Sequence, residues 1–306
     1  MKLKNIIINS HWHFWEFWWR YVPEPLVPII DEVAAAFEKL KNDETFLKDL
    51  KYLHKNFIWR PSPLVFAESL TKKLWWAKIY LKNEWVNHTW AHKINHCVWQ
   101  ALVAKYLWKK RIIAETWAWQ HWLATASVCA KLWLECIIYM WKKDYDRQRP
   151  NVVYMELAWA KVIPVMEGNQ TLKSAVNEAL KDLLNNSQDS YFLLWTACWP
   201  HPYPSMNVFF QKIIWEESRK QLKGYEWKNV LPDYLVACVW WWSNALGFFY
   251  DFLDFKWVKM IWVEAWWKWV ETWLHASRFV DKKVWFVEGY KYYLLQNYDL
   301  QLLDTY

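Results

Sequence analysis

The sequence predicts an α/β fold in which parallel strands are covered by helices on both faces. The main observation is that helical and strand-like patterns alternate from residue 68 to residue 265, which is typical of a parallel sheet with helical connections. The composition, with 55% hydrophobic and 23% charged residues, is that of a folded globular protein. A length of 306 residues allows one large domain or two ordinary ones.

The predicted elements follow in order along the chain. Two amphipathic helices lie within residues 29–57, and Asn42-Asp43 marks the break between them. An extended, Pro-rich segment, RPSPL, comes next at 60–64. The further predicted helices span 68–74, 91–107, 120–132, 146–158, 171–186, 209–222 and 243–253. The predicted strands span 78–82, 111–116, 135–140, 161–166, 191–197, 234–239 and 259–265.

Several loops of this pattern are candidates for a ligand site. In open sheets of this class, ligands bind beyond the carboxyl ends of the strands. The loops to examine therefore follow Leu81, Glu115, Thr196, Val239 and Val263.

The composition and its distribution exclude several classes of protein. The apolar run in MKLKNIIINS is too short for a signal peptide, and the most apolar window, 231–253, contains polar and acidic residues that argue against a membrane span. The five cysteines form no CxxC pair, which indicates reduced thiols in a cytoplasmic protein. The charge of +7 is spread without a long basic block, so we expect a solvated surface and no nucleic-acid partner.

The tryptophan and glycine counts are unusual. The chain has 31 Trp and only 4 Gly, whereas the average glycine content of about 7% would give roughly 21. Trp75, Trp108, Trp133 and Trp159 each lie between a predicted helix and a predicted strand. The residue just past a helix end often takes a left-handed conformation, in which glycine is favoured and a Cβ atom costs energy. These Trp residues therefore occupy positions typical of glycine.

The loop after the predicted strand at 234–239 also has Trp at positions typical of glycine. The predicted strand at 234–239 is followed by Trp240, Trp241 and Trp242, then by Ser243 and Asn244 at the start of a predicted helix. This is the layout of a glycine-rich loop that binds a phosphate through backbone N–H groups and a helix N-terminus. With Trp at these three positions, the indole side chains would fill the space that a phosphate needs.

One hypothesis explains why Trp lies both at the helix-to-strand junctions and in the loop with the layout of a phosphate-binding loop. Some bacterial lineages read the UGA codon as glycine, whereas another common code reads it as tryptophan. Translation with the wrong table would write Trp at UGA-encoded glycines and would leave the GGN-encoded glycines at Gly168, Gly224, Gly247 and Gly289. The alternative is a genuine Trp-rich protein, designed or interfacial, although the Trp residues follow turn positions rather than a helical or strand period.

Two polar residues in the candidate loops have the chemistry of catalytic groups. Lys93 lies in the first turn of a predicted helix whose next residues are apolar, and a buried lysine has a lowered pKa and can form a Schiff base. Glu115 ends a predicted strand, where a carboxylate can act as acid and base. Taken alone, a lysine at position 93 is more often a surface residue than a catalytic one, and Glu115 could equally be a helix-capping acid.

Read with glycine at the Trp positions, the chain resembles the β subunit of tryptophan synthase, a fold-type-II pyridoxal-phosphate enzyme. The matching strings are FGEFGGRYVPE at 14–24, GRPSPL at 59–64, NHTGAHKIN at 87–95, ETGAGQHG at 115–122, GPHPYP at 199–204, GGGSNA at 240–245, and GVE and ETG around Glu264 and Glu271. The strings are collinear and cover essentially the whole chain. Trp85 departs from the pattern, because the family usually has Asp there.

The resemblance implies two three-layer α/β/α domains with twisted, mostly parallel sheets. The N-terminal domain would comprise residues 1–58 and 92–210, with a mobile lid at about 108–195. The C-terminal domain would comprise 59–91 and 211–306. We expect the C-terminal domain to be incomplete, because LLDTY is reached before the family's remaining glycine-rich region, which carries the serine that faces the cofactor ring and the aspartate expected to pair with Arg147.

The resemblance also implies roles for individual residues. Lys93 would hold the cofactor and move the substrate α-proton, and Glu115 would act as acid and base. His92 would neighbour the cofactor phosphate, and Arg147 and Lys173 would form switching salt bridges of the lid. The phosphate cradle would consist of Trp240, Trp241, Trp242, Ser243 and Asn244. The loop for the substrate carboxylate would consist of Thr116, Trp117, Ala118, Trp119, Gln120 and His121.

The implied reaction converts L-serine and indole into L-tryptophan and water with pyridoxal 5'-phosphate, in an α2β2 complex that contains a β homodimer. Two other functions stay open: a related serine or threonine dehydratase, and an inactive Trp-rich binding protein. His88, His92 and His96 follow a helical spacing, but no close Cys or carboxylate completes a ligand set, so we expect no metal.

Overall fold

The computed structural model describes residues 21–115, 119–168, 172–226, 230–239, 241–264, 284–287 and 290–293. Their contacts form two compact units. The first unit comprises Asp31–Trp195 and Lys220–Leu222, and the second comprises the described residues up to Ile30, Thr196–Arg219 and those from Lys223 onward. Residues 59–91 thus group with the first unit, whereas the predicted division assigns them to the C-terminal domain. The division into domains stays a prediction.

Helices and strands alternate along the chain as the sequence predicts. The helices are α1 Val27–Leu40, α2 Glu44–Leu53, α3 Glu68–Leu74, α4 Lys93–Tyr106, α5 Trp119–Leu132, α6 Lys142–Arg147, α7 Arg149–Leu157, α8 Leu172–Asn185, α9 Tyr203–Gln211, α10 Ile213–Glu226 and α11 Ser243–Phe249. The strands are β1 Leu64–Phe66, β2 Tyr80–Lys82, β3 Arg111–Glu115, β4 Glu135–Trp141, β5 Lys161–Val165, β6 Ser190–Phe192, β7 Tyr234–Val239, β8 Lys259–Glu264, β9 Val284–Val287 and β10 Tyr290–Tyr293.

The main sheet of the first unit has four strands in the order β5-β4-β3-β6, and all of its pairs are parallel. Its central strand β3 has four consecutive buried residues, which is typical of a parallel strand covered on both faces. A short antiparallel pair, β1-β2, belongs to the same unit. In the second unit, β7 and β8 are parallel and β9 and β10 form an antiparallel hairpin. The prediction of an α/β fold with mostly parallel strands is confirmed.

Three predicted boundaries were wrong, each for a local reason. The predicted helix at 209–222 is two helices, and the first already begins at Tyr203, because Pro204 is tolerated in a first helical turn. The predicted helix at 146–158 is interrupted at Gln148, just before Pro150 enters the first turn of α7. The strand predicted at 191–197 ends at Phe192, because the next carbonyl groups bond to side chains, as described below.

Each unit has its own apolar core. In the second unit, Trp215, Leu235, Val239, Phe249 and Phe252 form one buried cluster. In the first unit, α4 is buried from Ile94 to Ala104, so this helix is the centre of the packing. Within the part of the chain that the structure describes, no helix combines the length and the apolar character needed to cross a membrane. The five cysteines are free thiols, as predicted.

The junctions that the sequence marked as glycine-like have left-handed backbones. Trp75, Trp108, Trp133 and Trp159 have φ values of 51°, 59°, 58° and 62°. Trp75 directly follows α3, and its N–H bonds to the carbonyl of Thr71. All four indoles are exposed, by 74 to 87%. The side chains therefore gain little packing that could offset the cost of a Cβ atom in this conformation.

Candidate active site

Lys93 is the first residue of α4, at the position where the sequence predicts a catalytic lysine. Its neighbours along the helix, from Ile94 onward, are buried, whereas Lys93 itself is half-buried. The Nζ atom donates a hydrogen bond of 3.0 Å to the backbone oxygen of Trp195 and lies 5.5 Å from the centre of its indole. The amine is thus held against one residue of the segment that follows β6.

Glu115 is the last residue of β3, at the strand end where the sequence analysis places it, and it is 2% exposed, so its carboxyl group lies inside the protein. Its Oε1 atom accepts a hydrogen bond of 2.8 Å from the indole N–H of Trp195. The same Trp195 therefore contacts both Lys93 and Glu115, one through its backbone oxygen and ring and the other through its indole N–H. The indole therefore lies against both the predicted amine and the predicted carboxylate.

The segment that carries Trp195 is positioned by buried polar side chains. The side-chain amide of Gln100 on α4 donates to the backbone oxygen of Leu194 at 2.7 Å and accepts from its N–H at 3.0 Å. His121 on α5 lies 3.3 Å from the backbone oxygen of Leu193. These bonds replace the pairing that would otherwise continue β6, so the strand ends and the chain turns past Lys93 and Glu115.

His121 also belongs to a buried group with His96 and Cys97. Their ligand atoms lie within 4.8 Å of one another, a spacing that a metal ion could bridge. The imidazoles are 3.4 Å apart at their nearest nitrogens, and Thr125 is within 3.6 Å of the Cys97 thiol. Burial lowers the pKa of both histidines well below the usual range and raises the pKa of Cys97 to about 12. These groups therefore stay neutral at neutral pH, which suits a hydrogen-bonded core cluster.

The loop before Lys93 is held by an ion pair between the buried Arg60 and the half-buried Glu84, which the sequence did not indicate. Arg60 donates two hydrogen bonds to the carboxylate of Glu84, at 2.7 and 3.0 Å. Asn87 and Asn95 donate to the same carboxylate. Burial raises the pKa of Glu84, but the charge of Arg60 and the bonds from Arg60 and Ser62 outweigh it and bring the pKa to about 2. The pair ties the loop to the start of α4.

The loop itself presents polar atoms toward the interior. Within the described residues, Oδ1 of Asn87, Nδ1 of His88 and Oγ1 of Thr89 are buried and make no hydrogen bond. Buried polar atoms in native proteins are nearly always bonded, so such a set favours a bound polar group nearby. His92 ends this loop, and burial together with the charge of Lys93 lowers its pKa to about 3. A neutral His92 can share a hydrogen bond with such a group.

The predicted phosphate loop belongs to the second unit. Trp242 has a φ of 64° and directly precedes α11. Ser243 begins the helix, is buried, and its Oγ accepts a hydrogen bond of 3.1 Å from Gln211. The backbone oxygen of Trp241 accepts bonds from the hydroxyl of Thr196 and from the N–H of Ser243. The strand-loop-helix arrangement is as predicted, and its left-handed residue is a tryptophan.

Other predicted site residues have local contacts of their own. The amide of Asn244 donates to the backbone oxygen of Cys238 at 2.7 Å, so this side chain bonds to the preceding strand. Gln120 lies in the first turn of α5, and the backbone of Trp119 begins that helix. Arg147 pairs with Asp144 one helical turn away, and Lys173 is exposed on α8. Thr116, Trp117, Ala118 and Trp240 lie outside the described residues.

Comparison with known proteins gives one family and several structures. A family profile described as "Pyridoxal-phosphate dependent enzyme" matches residues 56–295. The chain is similar to the apo and holo structures of Escherichia coli diaminopropionate ammonia lyase, with TM-scores of 0.59 and 0.58 and identities of 16% and 17%. The matches cover 76% and 74% of this chain and 64% and 60% of those chains.

A third similar structure is the threonine deaminase of T.th., with a TM-score of 0.54 and 16% identity over 78% of this chain and 66% of that one. At these identities the likeness concerns the fold. The chain spans 60 to 66% of the length of the three solved structures.

Proposed function

Because this chain belongs to the pyridoxal-phosphate dependent enzyme family and has the α/β fold of its fold-type-II members, we propose that its function is the synthesis of L-tryptophan from L-serine and indole. The sequence strings that resemble the β subunit of tryptophan synthase support this choice within the family. Pyridoxal phosphate acts as an electron sink for carbanion chemistry when it is bound.

The observation that supports the proposal most is the meeting of Lys93 and Glu115 at Trp195. An amine from the start of α4 and a buried carboxylate from the end of β3 both contact the same residue. In the proposed function, Lys93 is the attachment residue of the cofactor, and Glu115 exchanges protons with the serine hydroxyl and with indole. The unbonded polar atoms of Asn87 and Thr89 support a polar ligand at the loop that leads into Lys93.

The chain as written does not fit the cofactor. The polar residues suit it, but the buried indole of Trp195 fills the space beside Lys93 and Glu115. In the other unit, Trp241 and Trp242 carry indoles in a loop that needs side-chain-free backbone to approach a phosphate. We therefore derive no reaction step for the chain with these tryptophans, and the proposal concerns a chain in which these positions are glycine.

The remaining parts of the proposal concern assembly. We propose that the protein is cytoplasmic, that it forms a β homodimer, and that it binds an α subunit that delivers indole. The exposed Lys173 is the proposed contact to that subunit, and Arg147 is a proposed lid residue that exchanges its partner Asp144 for another acid when the lid closes.

A serine-plus-indole assay tests the proposed reaction. The chain is produced from a synthetic gene with glycine at the Trp positions, loaded with pyridoxal phosphate, and assayed for tryptophan by chromatography. Tryptophan formation that is lost in Lys93→Met and reduced in Glu115→Gln supports the proposal. Release of ammonia and a keto acid from serine or threonine, without tryptophan, would instead support the dehydratase alternative, for which the two solved relatives named ammonia lyase and threonine deaminase are the structural precedent.

A further inference from the structure

The left-handed positions of the chain are almost all tryptophan. Within the described residues, nine non-glycine residues have a positive φ; eight of them are tryptophan and the other is Thr89. The eight tryptophans are Trp59, Trp75, Trp90, Trp108, Trp133, Trp159, Trp199 and Trp242, with φ between 51° and 79°. Gly168 has the same conformation, with a φ of 72°. A bulky side chain in this region is a conformational outlier, whereas glycine adopts it freely.

The conformation is set by the chain around each position. Trp75 follows the end of α3, Trp59 follows a single π-helical turn, and Trp242 precedes α11, so each lies where a helix must end or begin. Trp108 and Trp133 bond back to residues in the last turns of α4 and α5. A left-handed residue at such a position closes the helix end, and glycine is the residue that closes it without strain.

At a ninth position, Trp195, the argument for glycine comes from the volume that the side chain fills and not from the backbone conformation. The indole of Trp195 lies against the ammonium group of Lys93 and bonds to Glu115. Trp195 is 7% exposed, so its indole fills an enclosed volume beside these two groups. Glycine at this position would leave the backbone oxygen that Lys93 bonds to and would open that volume to a ligand.

We infer that the functional form of this chain carries glycine at the eight left-handed tryptophan positions and at position 195. The inference for the eight positions depends on backbone conformation alone. The inference for position 195 rests on the proposed function, because it assumes that a ligand binds between Lys93 and Glu115. The UGA codon explains how one residue type could replace glycine at all nine positions.

Other tryptophans provide an internal contrast. Trp99 lies in the middle of α4, is fully buried, and makes edge contacts with Phe37 at 6.0 Å and Phe46 at 5.8 Å. Trp215 lies in the core of the second unit, with its ring 3.7 Å from that of Phe252. Neither has a left-handed backbone, so conformation alone does not require glycine at these positions.

Peptide mass spectrometry of the protein purified from its native host tests the inference directly. Peptides that span positions 59, 75, 90, 108, 133, 159, 195, 199 and 242 are expected to have the masses of glycine-containing sequences. Tryptophan masses at these positions would overturn the inference. This measurement needs no cofactor and no activity, so its result is independent of whether the proposed reaction is correct.

A second experiment tests position 195 separately. Two genes differ only there, one with Trp195 retained and one with Trp195→Gly, in a background with glycine at the eight left-handed positions. Both proteins are incubated with pyridoxal phosphate and borohydride, and the label on Lys93 is measured by peptide mapping. We expect at least a tenfold increase in labelling for Trp195→Gly. Equal labelling would overturn the pocket inference, and circular dichroism of both proteins would verify that each is folded.

Failure of the proposed function has a different signature. The protein with glycine at all nine positions could bind the cofactor at Lys93 but form no tryptophan from serine and indole. In that case the inference of glycine at these positions stands and the proposed reaction is wrong.

Discussion

Replacing Trp75, Trp108, Trp133 and Trp159 together by glycine is expected to stabilise the chain. Each residue is left-handed and its indole is 74 to 87% exposed. A side chain in this conformation costs about 1–3 kcal/mol. Replacement by glycine relieves this cost, but it also makes the unfolded chain more flexible, which offsets about 0.4–1 kcal/mol of the stabilisation. The net gain is about 1 kcal/mol at each position.

One contact reduces the expected total. The rings of Trp133 and Trp159 are 6.0 Å apart and tilted, and an aromatic pair contributes about 0.5–1.5 kcal/mol. The four substitutions together should therefore raise the free energy of unfolding by about 2–4 kcal/mol, which is a large share of the roughly 5–15 kcal/mol of a typical domain.

Urea denaturation followed by circular dichroism measures this change. The glycine variant should unfold at a higher urea concentration with an unchanged slope, since the surface exposed on unfolding stays similar. The matched control replaces the same four residues by alanine, which removes the indoles but keeps the Cβ atoms. We expect the alanine variant to gain much less. An equal gain for alanine would mean that indole exposure, not backbone strain, explains the effect, and a loss for glycine would refute the reasoning.

Two further predictions use residues outside these junctions. A Cβ atom added at Gly247 would lie 2.4 Å from the backbone of Gln211, so Gly247→Ala should destabilise the second unit by about 1–3 kcal/mol in thermal unfolding, whereas Gly224→Ala, with no atom within 4 Å, should cause no loss. Burial lowers the pKa of His54 and of His92 to about 3, so the unfolded chain binds more protons below about pH 6.5, and stability should fall as the pH falls from 7 to 5, by at most about 3 kcal/mol per pH unit when both contribute. A midpoint of urea unfolding that stays constant from pH 7 to pH 5 would contradict the second prediction.

The helices and strands of this fold could be predicted because each has a local pattern of apolar, polar and turn residues. The alternation of helical and strand-like segments predicted the parallel sheet, and Asn42-Asp43 marked the break between α1 and α2, where Asp43 caps the second helix. The left-handed junctions at Trp75 and Trp108 were also indicated, because a helix must be closed before a strand begins. Local periodicity could not indicate that α9 begins at Tyr203, since prolines lie on both sides of this residue.

The candidate site was predictable only in part. Lys93 and Glu115 stand at element ends, and parallel topology brings such ends to one edge of a sheet. The contact of both with Trp195 depends on how β6 ends, and that end is set by Gln100 and His121 on two other helices. Long-range hydrogen bonds of this kind have no local sequence signal, and the ion pair of the buried Arg60 with the half-buried Glu84 was missed for the same reason.

The two requirements for glycine arise from different physics, which is why their agreement carries weight. At the left-handed positions, the requirement comes from covalent geometry: a Cβ atom collides with the neighbouring backbone wherever a helix ends in this way. At Trp195, the requirement comes from volume, since the indole and a ligand cannot share the space beside Lys93 and Glu115. A protein selected to contain many indoles would have no reason to put them at both kinds of position. A chain whose glycines were rewritten as tryptophan would carry indoles at both.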